Sequence, residues 1–290
     1  MNDATDTVIG PYTGQLAEAC SSPEFQTALR DLPALLSAPE HQVLNDVRNR
    51  TVCVPLPTNA PHPLLVAVKS FARPSLTRSR IYQRTGSKAR RSWRIARFLE
   101  QHGVGTPRPL GFLDRWEGEQ LMESYFLTEF QPDAIEVRHE LIRLFSGQPQ
   151  IEAGARLLQL VAREVRALHA AGLQHNDLGH QNILVRRTAT GWEHAQFIDL
   201  NRARIRESLS ARQRAADIAR LWLPRSLRTL FFADYFSGQA APGGFYFWER
   251  WHRTTTALHA ATRDLRHPLR ARRRRERNLQ RPDYPDAGAL

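Results

Sequence analysis

Four residues in this sequence have the types and spacing that chemistry needs: Lys69, Asp177, Asn182 and Asp199. Residues 175–185 read HNDLGHQNILV, so Asp177 and Asn182 stand five apart, and Asp199 follows in Phe197-Ile-Asp199. Lys69 ends an apolar run that reads VAVK. Phosphoryl transfer calls for this set. The moving group is highly charged, and the protein mainly positions it and neutralises it. A lysine pairs with the α and β phosphates. A carboxylate holds Mg²⁺ against phosphate oxygens. An asparagine oxygen ligates metal without adding charge. A second carboxylate takes the acceptor's proton. Lys69, Asp199, Asn182 and Asp177 match those roles in that order. Each motif alone is weak, and the joint order and spacing carry the expectation.

The elements that must position them are legible in outline. Residues 64–68 read as a buried strand ending at Lys69. A strong amphipathic helix over 153–171 carries Leu157, Leu160, Val161, Val165 and Leu168 on one side, and Gly172 closes it before the Asp177 loop. Short strands over 183–185 and 196–198 follow, the second delivering Asp199. Upstream, Ser87 caps a helix over 88–102 lined by Trp93, Ala96 and Leu99. Residues 43–56 read as strand, turn, strand, and two more strands are expected near 109–113 and 124–129. Residues 1–22 read as loosely ordered, with one helix over 24–36. From Ser208 the chain reads as helical. A strand-rich first part and a helix-rich second part predict an α+β fold of two lobes. The expected organisation is a 1–40 extension, a 41–130 nucleotide-binding lobe, a 131–262 helical lobe and a basic 263–290 tail.

Three stretches resemble the kinase superfamily, and specifically the lipopolysaccharide kinases that phosphorylate Kdo or heptose. They are residues 86–109, which run from GSKARRSW to GVGTPRP, residues 175–185, and residues 197–205, FIDLNRARI, leading to DIARL at 217–221. The resemblance implies a protein-kinase-like fold, ATP and Mg²⁺ as cofactors, Asp177 as catalytic base and Asn182 and Asp199 at the metal. It places the nucleotide against Lys69 and the turn around Arg48 and Asn49, which has no glycine-rich loop. It further implies that Asp217 hydrogen-bonds the catalytic loop. Ser92 departs from the pattern, because an acid that pairs with the lysine is expected there. His175 is expected to brace the loop, and His180 to face solvent.

Composition bounds the partners. The chain has 290 residues, is 41% hydrophobic and has a formal net charge of +12. The charge is concentrated. Residues 69–97 hold ten Lys or Arg and no acid, and residues 270–277 hold six Arg. Such segments suit an anionic acceptor or a membrane surface. Two distant cysteines form neither a disulfide framework nor a zinc site. No leader or membrane span is expected, which suggests a cytoplasmic protein, peripheral on the inner membrane. No motif for sequence-specific nucleic-acid binding is present. The expected function is ATP-dependent phosphorylation of an anionic glycolipid or sugar acceptor. A kinase of the same fold with another acceptor, a nucleotide-binding scaffold without activity, and a basic nucleic-acid binder stay open as alternatives.

Overall fold

Period-two burial along β4 (Arg50–Leu56) and β5 (Leu64–Ser70) sends Val52, Val54, Val66 and Val68 to one face and leaves Lys69 on the other. A computed structural model describes residues 4–20, 22–46, 49–146, 148–223 and 225–266. In it these strands belong to a seven-stranded antiparallel sheet. The others are β1 (Ala4–Ile9), β2 (Tyr12–Ala17), β3 (Gln42–Asp46), β6 (Pro109–Glu117) and β7 (Gln120–Glu129), in the order β1-β2-β6-β7-β5-β4-β3.

Residues 4–20 are not loosely ordered. β1 and β2 form a hairpin that extends the sheet through β6. Glycine permits this join: a Cβ on Gly14 would lie 1.9 Å from the Phe112 carbonyl oxygen. The helix expected over 24–36 is two helices, α1 (Pro23–Ala28) and α2 (Leu32–Ser37). Asp31 breaks them by accepting from the Ala34 N–H, which starts a new helix. Pro33 fits because it sits in that helix's first turn. Phe25, Leu29, Leu32 and Leu36 are still buried together, against Tyr12, Leu16 and the inner valines of the sheet.

Helix α3 (Leu76–Thr85) was not foreseen. It exposes Leu76 and Ile81 and lacks a clear apolar stripe. Helix α4 (Lys88–Gln101) is capped by Ser87, whose Oγ accepts from Arg90 N. It buries Ala89, Trp93, Ile95, Ala96 and Leu99 in a core shared with the helical lobe.

That lobe begins with β8 (Ala134–Glu136), α5 (Val137–Phe145) and α6 (Ile151–Ala170). Next come β9 (Leu173–Gln174), β10 (Ile183–Thr188), β11 (Gly191–Phe197) and β12 (Arg204–Ile205), and then α7 (Ala211–Ile218), α8 (Arg225–Tyr235) and α9 (Phe245–Arg266). The strands form a sheet of order β11-β10-β8 and a β12-β9 pair. Leu157, Val161, Val165 and Leu168 of α6 pack with Ile183, Phe197 and Phe231. The architecture is the expected α+β fold of two lobes, a small β-rich one and a larger helical one. Among the described residues, no helix is long and apolar enough to cross a membrane.

Candidate active site

The loop after β9 is held by buried bonds. Asp217 on α7 is 1% exposed, and its carboxylate accepts from His175 N at 2.6 Å and from Asn176 N at 2.8 Å. His175 is fully buried, with Nε2 3.1 Å from the Ile198 carbonyl oxygen, so it ties the loop to the segment carrying Asp199. Burial lowers its imidazole pKa, so the neutral ring is favoured. Asn176 takes positive φ and donates from Nδ2 to Arg202 O at 3.1 Å.

These bonds set the positions of three predicted residues. Asn182 Nδ2 donates to Asp177 O at 2.8 Å, which engages the amide nitrogen inside the loop and leaves Oδ1 as the side chain's acceptor. Ile198 N donates to Asn182 O at 3.0 Å, so Asn182 and Asp199 are held beside one another at the ends of paired strands. Asp199 adopts a left-handed backbone, φ 60.

Lys69 reaches this point from the other lobe. Its Nζ is 2.7 Å from Asp199 Oδ1. Asn201 Nδ2 donates to the same oxygen. Burial works to raise the Asp199 carboxyl pKa, but the Lys69 ammonium opposes and outweighs it, helped by Asn201, and holds it below the usual carboxylate range. Ser92, on α4, has its hydroxyl 3.0 Å from Lys88 O and pairs with no cation. Glu100 pairs with Arg97.

Asn182 and Asp199 offer two oxygen donors from neighbouring strands. No cluster of three or more His, Cys, Asp or Glu is found among the described residues. That donor set fits Mg²⁺, which is ordinarily held by one or two protein oxygens together with waters and substrate phosphates. Asn49 Oδ1 accepts from Ala72 N at 3.4 Å, which leaves its amide nitrogen as a donor. Arg48 lies outside the described residues, as does the tail from residue 267 onward.

One reading of the loop is corrected. His180 does not face solvent: it is half-buried, and its enclosed Nε2 has no hydrogen-bond partner. Burial, with Arg138 near, pushes its imidazole down to about 4. Sequence reasoning also missed what meets Asp177. Arg202 Nη1 lies 3.1 Å from Oδ2, and Arg220 Nη1 lies 3.5 Å from Oδ1. Arg202 follows Asp199 by three residues and Arg220 follows Asp217 by three, and that repeated spacing was the available signal.

The loop over 103–109 clamps the site from the sheet side. Gly105 O accepts from Phe197 N at 2.9 Å, and Thr106 Oγ1 donates to Phe197 O at 3.0 Å. A Cβ on Gly105 would lie 2.1 Å from Ala195 O, so the close approach depends on glycine.

Comparison with known proteins bears on the family and the fold. The profile described as "Lipopolysaccharide kinase (Kdo/WaaP) family" matches residues 72–235. Lipopolysaccharide core heptose(I) kinase WaaP of Escherichia coli (strain K12) is 29% identical over 137 residues, covering 46% of this chain and 52% of that protein. A second Escherichia coli protein of the same name is 27% identical over the same lengths. The chain thus spans about half the length of the curated relatives it matches. Among solved structures, WaaP in complex with acyl carrier protein shares the fold, with a TM-score of 0.55 at 22% identity over 78% of this chain and 92% of that one.

Proposed function

Because this chain belongs to the lipopolysaccharide kinase (Kdo/WaaP) family, we propose that it transfers the γ-phosphoryl group of ATP to a sugar hydroxyl, Kdo or heptose, of the lipopolysaccharide inner core. The observation that supports this best is the meeting of Lys69 and Asp199 beside the loop that carries Asp177 and Asn182. Lys69 binds the α and β phosphates. Asn182 and Asp199 hold Mg²⁺, which supplies charge neutralisation when bound. Asp177 orients the acceptor hydroxyl and takes its proton. Asn49 and Arg48 are the residues assigned to the nucleotide's phosphates.

The two faces of α9 bear on location. Phe245 is buried with Phe231, Phe232 and Tyr235, while Tyr246, Phe247 and Trp251 are 56%, 62% and 53% exposed. Exposed aromatics ahead of an Arg-rich segment suit contact with an anionic membrane surface. The solved relative's complex with acyl carrier protein makes that carrier a second candidate partner, to be tested by co-purification.

A nucleotide-binding scaffold without transfer is the reading that Ser92 favours, since α4 brings no acid to Lys69. The test is transfer of labelled γ-phosphate from Mg-ATP to extracted lipopolysaccharide core. Asp177→Asn is expected to lower kcat by about 10²–10⁴-fold with the fold retained. Label that enters equally with the variant would refute the role of Asp177. Nucleotide binding without label from the wild type would favour the scaffold.

A further inference from the structure

Both oxygens of the Asp177 carboxylate face an arginine, one at 3.1 Å and the other at 3.5 Å. The two arginines come from separate elements. Arg202 ends the helical turn that follows Asp199, and Arg220 lies in the turn that ends α7. Their main chains are anchored. Arg202 O accepts from Asn176 Nδ2, and Asp217, one turn before Arg220, holds the N–H groups of His175 and Asn176. Their side chains are open to solvent, 53% and 41% exposed, beside an Asp177 that is 27% exposed.

Arginines retained for folding would be expected to be enclosed and saturated with acceptors. These two stand at the rim, and Asp177 is their ion-pair partner. Exposed ion pairs of this kind are weak and readily exchanged. An acceptor hydroxyl that approaches Asp177 must enter beside a guanidinium. A neutral alcohol offers that guanidinium only a single uncharged acceptor in return. An acceptor with an oxyanion next to its hydroxyl does, because the planar guanidinium fork matches carboxylate and phosphate geometry. At the nucleotide end, Lys69 and Asp199 already answer one another.

We propose that Arg202 and Arg220 form the acceptor's anion subsite. They bind a carboxylate or phosphate carried by the acceptor sugar near the hydroxyl to be phosphorylated, and they cover Asp177 until that anion arrives. Binding then does two things: it exchanges the arginines from Asp177 to the acceptor, and it brings the hydroxyl to the freed carboxylate. This rests on the reading of Asp177 as the catalytic base. It makes an anionic neighbour a condition of substrate choice, beyond general attraction to a basic protein.

The test is binding, and it does not require turnover. Free Kdo, a sugar acid, is titrated against its methyl ester and against inorganic phosphate, in the presence of Mg²⁺ and a non-hydrolysable ATP analogue. The proteins are wild type, Arg202→Gln, Arg220→Gln and the double variant, each checked by melting. Wild type is expected to bind Kdo at least about tenfold more tightly than the ester, and the double variant to bind both alike with unchanged nucleotide affinity. Arg202→Lys should recover part of the preference. If phosphate competes and Kdo shows no preference, the subsite is for a phosphate on the acceptor. If wild type neither prefers Kdo to its ester nor binds phosphate, the subsite does not exist. If the variants weaken nucleotide binding instead, the arginines serve the transferred phosphoryl group and the proposal is wrong. In turnover, the variants should raise the acceptor KM and leave the KM for ATP unchanged. Absence of transfer by the wild type would sink the proposed function while leaving the binding comparison decisive for the subsite.

Discussion

Two aspartates of this protein are almost equally buried and differently treated. Asp217, 1% exposed, lies under the loop that carries Asp177, and Asp114, 4% exposed, lies under the start of α4. Asp217 accepts from two backbone N–H groups and stands 3.4 Å from His169 Nε2. Asp114 has the hydroxyls of Ser124 and Ser87 beside it, yet its Oδ1 has no hydrogen-bond partner. Burial pushes the Asp114 carboxyl up to about 6, against the weaker pull of those hydroxyls and Arg90. A buried carboxylate is tolerated when oriented donors replace water, and drifts towards the neutral acid when they do not. The loop therefore rests on a satisfied buried acid, and the α4 edge of the sheet on an unsatisfied one.

Removing the satisfied acid should cost most. Asp217→Ala leaves the His175 and Asn176 N–H groups buried without an acceptor, at about 1–3 kcal/mol each. A drop of roughly 3 kcal/mol in denaturant-unfolding free energy is expected, with lost phosphotransfer because the Asp177 loop is no longer held. An unchanged midpoint would show that the loop is held by other means.

The unsatisfied acid should behave in the opposite sense. The folded Asp114 pKa, about 6, lies above its ordinary value of 3.8. The folded state therefore binds more protons in between, and stability falls as pH rises from about 4 to about 6. Asp114→Asn should remove this slope. The variant should match wild type near pH 3.5 and exceed it by on the order of 3 kcal/mol at pH 7. Equal wild-type and variant stability at both pH values would show that the serines satisfy Asp114 after all.

The smallest effect is expected at Ser92. Its hydroxyl bonds back to Lys88 O within the same helix. Ser92→Ala should change stability by less than about 1 kcal/mol and leave nucleotide affinity as it is. A loss of affinity would mean that α4 helps to hold Lys69 through Ser92.

The comparison also shows what could be read in advance. The Asp217 contacts with the loop follow from a local motif, DIARL, and from resemblance to related chains. Nothing in the sequence marked Asp114 as buried, because its environment is assembled from β6, β7 and the cap of α4. The β1–β2 hairpin was missed for a similar reason. Its strands are short and polar, and their place depends on the close approach of Gly14 to Phe112. Helix α3 gave little periodic signal, since it packs weakly. His180 was misread because loop position suggested solvent, whereas its enclosure is set by neighbouring elements.

By itself, the sequence determined the order of the chemical groups and most of the elements that carry them. Those follow from side-chain period, caps and turn residues, which are local properties. Only the tertiary structure decided which groups meet. Lys69 pairs with Asp199, 130 residues away, and not with any acid of α4, and Asp177 is met by Arg202 and Arg220. Such partnerships depend on how whole elements pack, and the electrostatics of the site arise there, because the energy between two charges depends on their distance and burial and not on their separation along the chain.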